Sequence, residues 1–224
     1  IGLNYAKGLS VGLGIPMIGV NHLHGHIVSG FIDNSISFPF ICLLVSGGHT
    51  QILKINNEID YEILAKTVDD AAGEAFDKGA RILGLNYPGG PEIDRISKNG
   101  NLGTYSFTIP KVKSSLADFS FSGLKTALLY KVNEFSESLL KSEISNIAAC
   151  YQETIIDTLF EKLNIVLNQN KTNDVLIVGG VSANTRFREK SEQFEKTNNV
   201  NIIFPDFKYC TDNAAMIAMA GYIK

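Results

Sequence analysis

Two short apolar runs, each broken by a pair of glycines, constrain the fold of this chain more than any other feature. Phe40-Ile41-Cys42-Leu43-Leu44-Val45 runs into Ser46-Gly47-Gly48-His49-Thr50, and Val175-Leu176-Ile177-Val178 runs into Gly179-Gly180-Val181-Ser182-Ala183-Asn184. Runs this short with no polar face predict strands covered on both sides. The first continues into Gln51-Ile52-Leu53-Lys54-Ile55, which predicts strand, tight turn, strand. The second continues into a segment of helical character from Thr185. Paired glycines let backbone N–H groups approach an anion closely, with the Ser46 and Thr50 hydroxyls as further donors. A plain hairpin turn accounts for Gly47-Gly48 equally well when taken alone. The recurrence, together with a buried strand feeding a turn and a helix, predicts an α/β fold with a nucleotide cleft at its strand ends.

A second signal lies upstream. Val20-Asn21-His22-Leu23-His24-Gly25-His26 carries three imidazoles. If this segment is helical, His22 and His26 share a face and His24 points away; if it is extended, all three share one. Two neutral imidazoles and a distant carboxylate such as Asp212, in Tyr209-Cys210-Thr211-Asp212-Asn213, would make a facial metal site. Partly buried histidines bonded to backbone are the competing reading. A zinc protease is disfavoured, because no glutamate follows the first histidine to act as base.

Composition narrows the setting. The chain has 224 residues, is 45% hydrophobic and 19% charged, and carries a net charge of −3. It holds no apolar run near the ~20 residues of a membrane span and no leader pattern at Ile1, which predicts a cytosolic protein with no membrane contact. Cys42, Cys150 and Cys210 are too far apart for a thiolate metal site and read as reduced thiols. With an acidic net charge, nucleic-acid contact needs a local basic surface, which Lys111, Lys113, Lys125, Arg186 and Arg188 could supply; scattered solubilising charge is the bland alternative.

Between the glycine turns the pattern is mostly helical. Asp69 to Gly84 starts with acids suited to a helix N-terminus and ends at a capping glycine, then leads into the rigid turn Tyr87-Pro88-Gly89-Gly90. Asp77 sits mid-helix, where solvent exposure is the default. Phe119-Ser120-Phe121-Ser122 alternates aromatic and hydroxyl residues before another helix, and Asn146 to Asn168 carries an apolar stripe at helical spacing. Ile15 to Val20 reads as a short buried strand, and Ala214 to Gly221 as a small-residue helix.

Taken in order, Asn21-His22-Leu23-His24-Gly25-His26, Leu44 to Thr50, Asp69 to Lys78, Tyr87 to Gly90, Phe119 to Thr126, Gly179 to Asn184 and Thr211 to Ala214 resemble the tRNA N6-adenosine threonylcarbamoyltransferases (TsaD), across essentially the whole chain. The resemblance implies an α/β actin-like ATPase (ASKHA) fold of two lobes with the N-terminal lobe incomplete. Residues 1–38 would be its remnant carrying the metal-binding histidines, and 39–224 the C-terminal lobe with a helical insertion at about 61–170. Family members normally begin with a further strand and phosphate loop, so the expectation is of a fragment, and a non-catalytic nucleotide-binding or assembly subunit is the alternative reading.

The activity implied is transfer of threonylcarbamoyl from threonylcarbamoyl-AMP to N6 of adenosine 37 in tRNAs reading codons that begin with A, by a cytoplasmic acyltransferase. His22, His26 and Asp212 would hold one Fe2+, or Zn2+, with metal-assisted chemistry and no separate base. Leu44, Val45, Ser46, Gly47 and Gly48 would cradle the phosphate and acyl end, and Asp77, Gly90, Asp94 and Asn184 the nucleoside. Implied partners are tRNA, a catalytically inactive paralogue (TsaB-like) and a small P-loop ATPase (TsaE-like). In several members a glutamate stands at the position of His24.

Overall fold

The computed structural model describes residues 1–109, 112 and 115–224. Elements follow in chain order as α1 (Gly2–Leu13), α2 (His22–Ser29), β1 (Phe40–Val45), β2 (Thr50–Ile55), β3 (Tyr61–Lys66), α3 (Ala72–Ile82), α4 (Gly89–Ser97), α5 (Ser122–Asn133), α6 (Glu137–Gln169), β4 (Asp174–Val178), α7 (Thr185–Asn198), β5 (Asn201–Ile203), α8 (Phe207–Cys210) and α9 (Ala214–Ile223). The two apolar runs are β1 and β4, neighbours in a five-stranded sheet of order β3-β2-β1-β4-β5.

Burial on both faces explains why those runs lack polar residues. Side chains alternate along β1: Ile41, Leu43 and Val45 join Val175 and Ile177 under α3 to α7, while Phe40, Cys42 and Leu44 join Leu176, Val178 and Ile27 of α2 on the opposite face. Every residue of β1 is buried. β1 runs antiparallel to β2, which runs antiparallel to β3, and parallel to β4, with Leu44 opposite Val178. That register sets the two glycine turns side by side at one end of the sheet. Gly179 adopts φ 95°, a conformation an L side chain resists, and its Cα faces the Val45 backbone so closely that a Cβ would clash with it.

The long helix α6 delivers the expected apolar stripe, burying Ile147, Tyr151, Ile155, Leu159, Leu163 and Val166. All three cysteines are free and buried, and burial pushes the Cys42 thiol up. No helix is long and apolar enough to cross a membrane, among the described residues.

Several expectations need correction. Residues 15–20 form no strand: the described residues offer that segment no ladder partner, and Ile15 and Ile18 are exposed. The region expected to be helical from about 61 opens with β3, and its helix starts at Ala72. Asp69 therefore precedes α3 and does not complement its N-terminal dipole. Its carboxylate instead accepts hydrogen bonds from Ser120 Oγ (2.5 Å), Phe121 N–H (2.8 Å) and Ser122 Oγ (2.8 Å), tying the start of α5 to the start of α3. Burial raises the Asp69 pKa, but the donors from Ser120, Phe121 and Ser122 outweigh it and hold the carboxyl below its ordinary value. The alternation at 119–122 is thereby explained: Phe119 and Phe121 fill the core while the hydroxyls reach Asp69. Lys111 and Lys113 lie outside the described residues.

The contrast between the two glycine turns is testable. Gly179→Ala should cost about 2 kcal/mol of stability, because strain and overlap add, whereas a Cβ on Gly48 meets nothing within 4 Å and Gly48→Ala should stay within about 0.5 kcal/mol of wild type. Equal midpoints of urea unfolding for the two variants would refute this account of the turns.

Candidate functional site

Helix α2 decides which histidines act together. The Asn21 side chain caps it, accepting from Leu23 N–H (2.8 Å) and His24 N–H (3.3 Å). Helical spacing puts His22 and His26 on one face, with ring centroids 4.9 Å apart at 87°. His24 turns away and donates from Nε2 to the Glu58 carbonyl (2.6 Å) in the β2–β3 connection.

Asp212 arrives from the short link between α8 and α9. Asn213 fixes that link by capping α9, accepting from Met216 N–H (2.9 Å) and donating to the Thr211 carbonyl (2.8 Å). Close packing of α2 on α9 requires a small residue, and Gly25 sits against Met216 and Ile217. Asp212 Oδ1 consequently lies 3.3 Å from His22 Nε2 and 3.2 Å from His26 Nε2.

These separations suit a shared cation. Two bonds of ~2.1 Å meeting at ~90–110° place their ligand atoms roughly 3.0–3.4 Å apart. One ligand atom from each of His22, His26 and Asp212 falls within 4.8 Å of the others. His26 is buried, while the Asp212 side chain is 75% exposed. Desolvation first, and the neighbouring His22 second, lower the His26 pKa against the opposing pull of Asp212, so its ring is neutral at neutral pH with a lone pair to donate. His26 Nδ1 is buried with no hydrogen-bond partner among the described residues, which leaves Nε2 as its working atom.

The turn after β1 is held from two sides. Ser46 N–H donates to the His49 carbonyl (2.8 Å) and His49 N–H to Ser46 Oγ (3.1 Å). Thr50 Oγ1 and the Ser46 carbonyl accept from Ala72 N–H (2.9 Å) and Gly73 N–H (3.3 Å) of α3. A Cβ on Gly73 would stand 2.6 Å from the Ser46 carbonyl oxygen, so only glycine permits this approach. Space above Gly47 and Gly48 is open, with nothing within 4 Å of an added Cβ. Glycine serves here to keep room free.

His26, Asp212, Ser46, Gly47, Asp77, Gly90, Asp94 and Asn184, all expected site residues, line one cavity of about 620 Å³. His22 is not among its lining residues and meets it through Asp212. Leu44, Val45 and Gly48 are not among the lining residues, and Leu44 and Val45 are fully buried strand residues.

The acids and amides of the far wall also hold the wall together. Asp77 Oδ1 accepts from Gly89 N–H (2.8 Å), which answers why an aspartate sits mid-helix without pointing to bulk water. Asp94 accepts from Thr185 Oγ1 (2.9 Å and 2.8 Å) and Thr185 N–H (3.3 Å). Asn184 caps α7 through Phe187 N–H (2.9 Å) and donates from Nδ2 to Gln152 Oε1 (2.7 Å). Gln152 and Thr185, which support the wall without lining the cavity, were not expected. The signal for Gln152 was a lone amide inside the apolar stripe of α6.

The basic residues proposed for a nucleic-acid surface include two that are engaged internally. Arg186 pairs with Glu153 (2.8 Å), and Arg188 stacks between Phe204 and Phe207 while donating to the Ser182 carbonyl (2.8 Å). Neither is available to phosphate.

Comparison with known proteins agrees with this geometry. Residues 1–219 match the family model described as tRNA N6-adenosine threonylcarbamoyltransferase, TsaD. The protein of that name from Thermosipho africanus (strain TCF52B) is 48% identical over 223 residues, covering 99% of this chain and 67% of its own length. That of Porphyromonas gingivalis (strain ATCC BAA-308 / W83) is 43% identical over 234 residues, covering 100% and 68%. The chain thus spans about two thirds of these relatives. Among solved structures, full-length HypF in its phosphate- and nucleotide-bound form superimposes with a TM-score of 0.71 at 15% identity, covering 98% of this chain and 37% of HypF. Component A of the Acidaminococcus fermentans (R)-2-hydroxyglutaryl-CoA dehydratase gives 0.50 at 16% identity, covering 96% and 70%. These two likenesses concern the fold alone, which is of the actin-like ATPase kind. With the ordered motifs meeting in one cleft and relatives this similar along its whole length, the chain belongs to the tRNA N6-adenosine threonylcarbamoyltransferase family.

Proposed function

We propose that this cleft transfers threonylcarbamoyl from threonylcarbamoyl-AMP to N6 of adenosine 37 in tRNAs reading codons that begin with A, with one Fe2+, or Zn2+, held by His22, His26 and Asp212. The observation that carries this reading is the convergence of His26 and Asp212 with Ser46, Gly47, Asp77 and Asn184 on one cavity. A metal ligand set beside an anion-friendly turn suits an acyl phosphate, whose reacting carbon lies between its phosphate and its acyl end.

In the proposed reaction, a bond forms from adenosine N6 to the carbamoyl carbon, the bond from that carbon to the phosphate oxygen breaks, AMP departs and N6 loses a proton. A bound cation on two imidazoles and a carboxylate supplies Lewis-acid polarisation of the acyl oxygen. The chain itself does the positioning. Ser46, whose carbonyl accepts from Gly73 N–H of α3, and Gly47 receive the phosphate and leave room for the acyl end. Asp77 and Gly90 face the nucleoside from α3 and α4. An exocyclic amine is a weak nucleophile, so holding both reactants in register contributes much of the rate.

The surroundings follow from the same reading: a cytoplasmic enzyme that works with tRNA, an inactive paralogue and a small P-loop ATPase. His22, His26 and Asp212 converge, the last two on the cavity wall, and the transferase relatives matched along the whole chain favour an enzyme over a non-catalytic assembly subunit.

Loss of the gene should remove threonylcarbamoyl-adenosine from bulk tRNA, as read by nucleoside mass spectrometry; normal levels would end the proposal. Separately, the purified protein should bind one equivalent of Zn2+ or Fe2+ by calorimetry. His26→Ala and Asp212→Ala should each weaken binding about tenfold or more, whereas His24→Ala, whose ring points to Glu58, should not. Affinity should fall as pH drops through the imidazole range, because the ligand nitrogens must be unprotonated. Undiminished binding by the first two variants would place the metal elsewhere.

A further inference from the structure

Beside the main cleft lies a smaller cavity of about 320 Å³, lined in part by Lys78, Arg81, Asn86 and Tyr87, which shares Asp77 and Tyr87 with its larger neighbour. Tyr87, like Asp77, borders both. Its residue is 84% exposed, yet the backbone on either side is well tethered. Leu85 N–H donates to the Ala80 carbonyl (2.9 Å), and Gly89 N–H to Asp77 Oδ1 (2.8 Å). A large ring is therefore displayed to solvent from a fixed mount, the arrangement that lets an aromatic face accept a flat partner with little ordering cost.

The charges beside it are selective. Lys78 is engaged by Asp70 (2.7 Å) and Glu74 (2.9 Å). Arg81, in the last turn of α3, is exposed and its side chain makes no hydrogen bond or ion pair among the described residues. An aromatic face, a guanidinium without a carboxylate partner and the Asn86 amide together match the base, phosphate and base edge of one unstacked nucleotide. The protein's net charge of −3 makes such a local cation the relevant attraction for RNA.

We propose that this second cavity seats the RNA nucleotide flanking the acceptor adenosine, its base stacked on Tyr87 and its phosphate paired with Arg81. The inference rests on the reading of the main cleft as the tRNA-modifying site. Stacking on Tyr87, which borders both cavities, would turn the neighbouring base toward the cleft that holds Asp77 and Asp212.

The test is steady-state kinetics of the full-length protein, with the partner proteins its activity needs, on unmodified tRNA and the acyl-adenylate donor. Tyr87→Ala should raise KM for tRNA about tenfold while leaving KM for the donor within about twofold, and Tyr87→Phe, which keeps the ring face, should behave as wild type. Arg81→Gln should lower the slope of log affinity for tRNA against log salt by about 0.7. An unchanged KM for tRNA in Tyr87→Ala, or a rise confined to the donor, would overturn the proposal, the latter assigning the ring to the donor's nucleoside. A wild-type enzyme that modifies tRNA normally alongside such variants would leave the parent reading standing; a wild-type protein with no tRNA modification would remove both.

Discussion

Parallel pairing of β1 with β4 is the constraint on which the site depends. These strands are far apart in sequence, and only their register, Ile41 opposite Val175 through Leu44 opposite Val178, brings the turn at Ser46-Gly47-Gly48 beside the turn at Gly179-Gly180. Buried side chains on both faces fix that register, because a slip by one residue would exchange the members of two separate cores. The backbone contact between Gly179 and Val45 then leaves no freedom in how the second turn exits.

A chain of polar contacts converts the sheet end into a cleft. Thr50 anchors α3, Asp77 on α3 anchors the start of α4, Asp94 on α4 anchors Thr185 at the start of α7, and Asn184 ties that start to Gln152 on α6. Three of these side chains, Asp77, Asp94 and Asn184, also line the cavity. Binding surface and support are the same residues here, so removal of one acid disturbs both. The family resemblance implied Asp94 and Asn184 as nucleoside contacts, whereas their internal bonds become visible only when α4, α6 and α7 are placed together.

Much of this was legible in the sequence because it is local. The apolar runs announced β1 and β4, the stripe at helical spacing announced α6, and the histidine spacing allowed a metal pair once helicity was settled by the Asn21 cap. What was not legible depends on long-range packing. Ile15 to Val20 has the composition of a strand, but the described residues offer no partner. Leu44 and Val45 belong to a motif read as a cradle, yet the period of two turns both into opposite cores. Asp69 looked like a helix-dipole acid and proved to be the acceptor for three residues 51 to 53 positions downstream. Gln152 stood out only as an amide within an apolar stripe, and its partner, Asn184 at the start of α7, becomes visible only once the two helices are packed.

Cation ligands and nucleotide walls that form one site must report on each other's occupants. The decisive measurement is the relaxation of the 31P signal of AMP on protein loaded with Co2+. Strong paramagnetic broadening in the wild type that vanishes in Asp212→Asn is the result expected. Tight AMP binding with a 31P signal insensitive to the bound ion would show that metal and nucleotide occupy separate places, and would contradict the account.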